Sequence, residues 1–189
     1  MTFSLNKRDF ELLQALVEYR IFTVNQISAL FQTNKTATAK RVKAYKKAGL
    51  VEVIRRQLGR KRGRPEELLG LTEKGFVILK EQNLFEPHLS YEAVISAGIH
   101  CPDHQLLINW FRIHLQQVQR VLARWNHDFF ASSSPLLPLD PEERPVLNEY
   151  IPSTSNKGKL VNFKPDAVFV GIDAEIDKAL LFFLEVDMG

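Results

Sequence analysis

Cysteine occurs once, at Cys101, which excludes an internal disulfide and any zinc site built on cysteines and agrees with a reducing compartment. Long apolar runs are missing too. Residues 1–9 hold none of signal-peptide length, and the longest late run, Ala179 to Leu184, is too short to cross a bilayer, so a cytoplasmic protein with no membrane partner is expected. There is no internal repeat, and no low-complexity tract beyond one basic stretch. Within that stretch acid is nearly absent. Twelve cations lie between Lys35 and Arg64 against the single acid Glu52, a net +11, while the other thirteen cations face 21 acids, a net −8. A cationic surface so concentrated attracts a polyanion, because each Lys or Arg that neutralises a phosphate releases condensed counterions.

A solvated charged face is the ordinary fate of Lys and Arg, but the spacing here argues for more. Asn34 can cap a helix from Lys35 to Ala48 that Gly49 ends. On a 3.6-residue period Val42, Tyr45 and Ala39 with Thr38 turn inward, while Thr36, Lys40, Lys43 and Lys47 line the opposite side. An extended run from Leu50 to Gln57 follows, then a tip reading Gly59-Arg60-Lys61-Arg62-Gly63-Arg64-Pro65, then a second extended run from Glu66 to Leu71. Two strands around a basic tip directly after a basic helix read as the wing of a winged helix-turn-helix. The tip also resembles the core of an AT-hook, in which Gly lets the backbone approach the minor-groove floor and the flanking Arg side chains lie along A·T-rich sequence. The DNA-contacting set expected from this stretch is Thr36, Lys40, Lys43, Lys47, Arg55, Arg60, Lys61, Arg62 and Arg64.

With 45% apolar and 25% charged residues the chain can bury a real core, as one large or two small domains. Asn6 with Asp9 forms a capping-box signal for a helix to about Tyr19, with Phe10, Leu13, Leu16 and Val17 inward. Thr23 with Gln26 opens a second, short helix with Ile27, Leu30 and Phe31 inward. Thr72 can cap a fourth helix to about Gln82, in which Gly75 permits close approach to the wing strands. Pro87 and polar neighbours mark a linker, and Tyr91 to Gly98 reads as a short helix. From Pro102 to about Trp125 runs the longest helix, with one apolar stripe of Leu107, Phe111, Leu115, Val118, Leu122 and Trp125 and a second of Leu106, Trp110, Ile113 and Val121. Two stripes need two partners: the C-terminal sheet is expected to take one, the winged helix or a second subunit the other, and a homodimer is the expected assembly. His100 and His104 sit four apart, which with His114 invites a metal reading, but no third ligand is placed by spacing and the three read better as structural or surface histidines. Asp128 to Ala131 reads as a strand, Ser132 to Lys159 as a long loop, and Asp166–Val170 with Lys178–Val186 as a hairpin joined by residues 171–177. The chain stops just after a strand, an odd place for a domain to end.

Three pieces, in order, carry a family resemblance: the winged helix ending in Leu71-Thr72-Glu73-Lys74-Gly75, the segment His104-Gln105-Leu106-Leu107-Ile108-Asn109, and the pair Pro165-Asp166-Ala167 with Leu184-Glu185-Val186-Asp187. Together they resemble the replication-relaxation family of plasmids and integrated mobile elements. The resemblance implies a DNA-binding protein concerned with replication or transfer of mobile DNA. The C-terminal motifs also resemble a restriction-endonuclease-like core, whose carboxylates hold Mg²⁺ against the scissile phosphate. Asp166 and Glu185 are the candidate catalytic carboxylates, and Asp166, Glu185 and Asp187 the candidate metal ligands. Where the nuclease pattern has Lys, this chain has Asp187, which adds negative charge instead of helping to activate water. Lys164 is the one candidate for a displaced catalytic lysine. For Glu185 and Asp187, solvent-facing strand-end carboxylates and metal ligands stand side by side as readings.

The fold expected is therefore α+β: a winged helix-turn-helix over 1–82, a linker with a short helix over 83–101, and a long helix plus a β-rich, restriction-endonuclease-like domain over 102–189. The function expected is double-stranded DNA binding in replication, transfer or its control, with a second copy and other replication or transfer proteins as partners. The rivals are a transcriptional repressor with a C-terminal dimerisation domain and a Mg²⁺-dependent DNA endonuclease, the enzyme ranking below the binding protein.

Overall fold

The computed structural model describes residues 4–54, 66–86, 89–95, 99, 101–122, 124–138, 140–141, 147, 149–152 and 160–188. The chain divides into two compact units, Met1–Ile113 and His114–Gly189.

In the first unit, local capping chemistry sets the helix starts. Asn6 and Asp9 satisfy each other's backbone N–H groups at the head of α1 (Lys7–Tyr19), and Thr23 and Gln26 do the same for α2 (Val24–Leu30). The Asn34 side chain accepts from the N–H groups of Thr36 and Ala37 to open α3 (Lys35–Ala48), which Gly49 ends in the left-handed region at φ 72°. Strands β1 (Val51–Ile54) and β2 (Leu68–Leu71) pair antiparallel, Val51 opposite Leu71 and Ile54 opposite Leu68. Phe22 adds a third strand of one residue by bridging to Leu69. Thr72 caps α4 (Glu73–Glu81), and α5 (Tyr91–Val94) is a single turn. The core joins Leu13, Leu16 and Val17 of α1 with Ile27, Leu30, Val42, Tyr45, Leu69, Phe76, Leu79 and Ile113. This order of three helices, a two-stranded wing and a following helix is a winged helix-turn-helix.

Gly75 is where α4 meets the wing. A Cβ there would lie 2.5 Å from the Leu50 carbonyl oxygen and 2.7 Å from Leu71 Cδ1, so only glycine allows the approach. One inward assignment on α3 needs correcting. Thr38, Val42 and Tyr45 are buried, but Ala39 is exposed, because it sits about 100° round the helix from Thr38 and off that stripe.

The sequence opens a new domain at 102, whereas the first unit extends to Ile113 and takes in the first half of α6 (Pro102–Val121). The reason is polar, which hid it from an apolar count. Gln105 and Asn109 are buried, and the Asn109 amide donates to the carbonyls of Tyr19 and Ile21 while Gln26 Nε2 donates to Leu106 O. Ile108 and Ile113 fill the apolar part of the contact, and Leu107, Val118, Val121 and Leu122 are exposed. The helix also ends earlier than its apolar pattern suggests. Trp125 is the first residue of a strand, paired with Asp173, and not the last of a helical stripe.

The second unit holds the end of α6, β3 (Trp125–Ala131), β4 (Glu149–Pro152), β5 (Leu160–Phe163), β6 (Ala167–Asp173) and β7 (Lys178–Leu184). β6 is central in an antiparallel sheet of order β3-β6-β7, and β4 pairs with β5 apart from it. β4 thus lies inside the stretch read as one long loop. The first hairpin strand runs further than expected, Asp173 pairing with Lys178 so that only residues 174–177 form the turn, while the second ends at Leu184, short of Val186. Phe129, Phe169 and Phe182 stack across the three strands, with centroids 6.3 and 4.7 Å apart. Gly171 leaves room for the Trp125 ring, whose Cη2 would lie 2.1 Å from a Cβ at 171. β7 is an edge strand with Leu180, Leu181, Phe182 and Phe183 all exposed. Among the described residues, no helix is long and apolar enough to cross a membrane.

Candidate nucleic-acid interface

The six cations of α3 fall into two groups. Lys35 pairs with Glu66 at 3.5 Å, Lys46 with Glu67 at 2.8 Å, and Arg41 with Asp9. Lys40, Lys43 and Lys47 are exposed and make no ion pair among the described residues. Thr36, at the exposed start of the helix, shares the open face with them. The acids just before β2 and at the head of α1 therefore neutralise the flanks of α3 and leave its outer ridge charged.

The turn before α3 is stapled. Thr33 N–H donates to Ser28 O at 2.9 Å, and the hydroxyls of Thr33 and Thr38 share a bond of 2.7 Å. Gln32 takes φ 50° to make the corner. Arg8, which no sequence pattern singles out, reaches from α1 to donate to Phe31 O at 2.8 Å, placing another exposed cation beside this turn.

What fixes the roll of α3 is Asp9. Its carboxylate, 3% exposed, accepts from Arg41 Nε at 2.7 Å, from Arg41 Nη2, from Tyr45 OH at 2.5 Å and from Asn6 N–H at 2.7 Å. Burial pushes the Asp9 pKa up, but hydrogen bonds from Arg41, Asn6 and Tyr45 with the Arg41 charge outweigh it, and the group lies below its ordinary value. Tyr45 moves the opposite way, raised first by burial and then by Asp9. The hydrogen bond to Asp9 raises Arg41, which stays a cation. Arg41 and Tyr45 sit four apart on one flank of α3, so one carboxylate grips the helix at two successive turns.

Both strands of the wing are described, but Arg55, Arg60, Lys61, Arg62 and Arg64, and with them the AT-hook-like tip, lie outside the described residues. The replication-relaxation family matches residues 13–189. The chain belongs to that family. Among solved structures, the crystal structure of a zinc-responsive MarR family member, Lactococcus lactis ZitR, is similar at 19% identity and a TM-score of 0.36, over 62% of this chain and 78% of that one. No curated protein matches the chain.

In this replication-relaxation protein the C-terminal candidates meet only in part. Asp166 directly precedes β6 and Glu185 directly follows β7, and the pairing of Ala167 with Leu184 brings both to one end of the sheet. Asp166 has structural work there: its Oδ2 accepts from Val186 N–H at 2.7 Å, and its N–H donates to Leu184 O at 3.1 Å. Glu185, Asp187 and Lys164 are exposed. Among the described residues, no group of three or more His, Cys, Asp or Glu is disposed to hold a metal ion. His104 is half-buried on α6 and His114 exposed, while His100 lies outside the described residues.

Proposed function

We propose that this replication-relaxation protein binds double-stranded DNA of a plasmid or other mobile element and acts there in replication, transfer or its control. The observation that carries the reading is the division of the α3 cations, three neutralised by Asp9, Glu66 and Glu67 and three left on the outer ridge with Thr36. A solvated face would have no reason to keep its charges on one line. In this reading Lys40, Lys43 and Lys47 neutralise phosphates, Thr36 reaches a base edge, and Arg55, Arg60, Lys61, Arg62 and Arg64 extend the contact into an A·T-rich minor groove. A homodimer on a two-fold site, a cytoplasmic location and a restriction-endonuclease-like second unit that does not cleave belong to the same proposal.

The test is the salt dependence of binding to duplex DNA by a Lys40→Ala, Lys43→Ala variant. Each lost phosphate contact should remove roughly 0.9 from the log–log slope, so the pair should flatten it by just under two while leaving thermal stability unchanged. An unchanged slope overturns the assignment of α3.

A further inference from the structure

The segment between α1 and α2 contains a backbone conformation that its residue does not favour. Arg20 sits at φ 70°, ψ −53°, and Ile21 N–H donates to Tyr19 O at 2.8 Å, closing a three-residue γ-turn of the positive-φ kind. A side chain at that φ is strained, and such a turn persists only where its surroundings over-determine it. Here they do. Asn109 Nδ2 donates to Ile21 O at 2.7 Å and to Tyr19 O at 3.2 Å, so one amide spans both carbonyls of the turn. Gln105 Nε2 donates to Asn109 Oδ1 at 2.9 Å and thereby fixes which way that amide faces. The Arg20 guanidinium is held by the carbonyls of Ala93 and Ile95.

The residue after the turn is Phe22, whose N–H donates to Leu69 O at 3.0 Å and whose carbonyl accepts from Leu69 N–H at 2.8 Å. Leu69 lies in β2, the returning strand of the wing. Four residues further on, Gln26 accepts from Thr23 N–H through Oε1 and donates to Leu106 O through Nε2, so the same turn of α6 also grips the head of α2. A short piece of α6, residues 105–109, thus holds both ends of the segment that braces the wing strands.

We propose that Asn109 is a positioning residue through which α6 sets the base of the wing, by holding the Tyr19–Arg20–Ile21 turn in its strained form. The proposal deepens the DNA-binding reading and rests on it only for its effect at DNA. If the wing base shifts, strands β1 and β2 meet DNA at a different angle, while the α3 ridge, gripped separately by Asp9, stays in place.

The experiment is amide hydrogen exchange on the full chain, with Asn109→Leu, Arg20→Gly and the double variant beside the parent. Asn109→Leu should speed exchange at the Phe22 and Leu69 amides on the order of tenfold, the loss expected for two hydrogen bonds to buried carbonyls, while Leu13 and Leu16 in α1 keep their protection. Glycine accepts the positive φ without strain. In the Arg20→Gly background, therefore, Asn109→Leu should matter much less. Equal acceleration in both backgrounds, or acceleration spread evenly over the first unit, overturns the proposal. If Asn109→Leu does not fold, Asn109→Ser, which keeps one donor, is read by the same criteria. A random-sequence duplex serves as the DNA probe: Asn109→Leu should bind it more weakly while keeping the salt slope contributed by Lys40 and Lys43. A parent that binds no duplex overturns the DNA-binding reading, and the exchange experiment still decides the role of Asn109.

Discussion

Asp9 shows how much one side chain can be asked to do. Its backbone partner Asn6 is legible in the sequence as a capping box, but Arg41 and Tyr45 are 32 and 36 residues away, a separation that no local pattern spans. Because its folded pKa lies below the ordinary 3.8, its contribution is complete above that value and is lost as the pH falls through 3.8 toward the folded pKa. Asp9→Asn should cost about 2–3 kcal/mol in denaturant melts at neutral pH, since it leaves a buried hydroxyl and a guanidinium without their anion. The gap between variant and parent should narrow below about pH 4. A gap that stays constant with pH would mean that the carboxylate's charge contributes nothing. The sequence also supplied Lys40, Lys43 and Lys47 as the outer ridge, since exposure follows directly from the helical period. It could not show that Lys35 and Lys46 are neutralised, because Glu66 and Glu67 come beside α3 only when the wing folds back.

Elements with strong local signals were the readable ones. The caps at Asn6, Thr23, Asn34 and Thr72 and the stop at Gly49 place four helices within a residue or two. Gly75 carries the clearest tertiary message. On propensity alone, Gly75→Ala should stabilise α4 by about 1 kcal/mol. The methyl group would instead press on the Leu50 carbonyl and on Leu71, at a cost of up to about 3 kcal/mol, and the expected net result is a loss of up to about 2 kcal/mol, read from a thermal or urea melt. A stabilised variant would show that α4 can move off the wing at little cost. The element least well read was α6, for two reasons. Its attachment to the first unit runs through Gln105 and Asn109, which an apolar stripe passes over, and its end is set by Trp125 turning into β3 to pair with Asp173.

At the scale of the molecule, the division within α6 predicts which fragments stand alone. A fragment of residues 1–121 should unfold cooperatively, because it retains Asn109, Ile108 and Ile113. One ending at 101 should melt well below it, having uncovered the apolar surface those residues fill and stranded the carbonyls of Tyr19 and Ile21. Equal melting temperatures would return the boundary to 102, where the sequence placed it. The β-rich half was less legible throughout, since its sheet depends on pairings such as Trp125 with Asp173, 48 residues apart, that only the folded chain brings together. The same pairing has a practical side. The chain has two tryptophans, Trp110 packed against the core of the first unit and Trp125 seated over Gly171 in the second. Trp110→Phe and Trp125→Phe therefore each leave a lone tryptophan confined to one unit, and the tryptophan emission of the two variants during denaturation reports, optically and without added label, whether the halves of this protein come apart together or in turn.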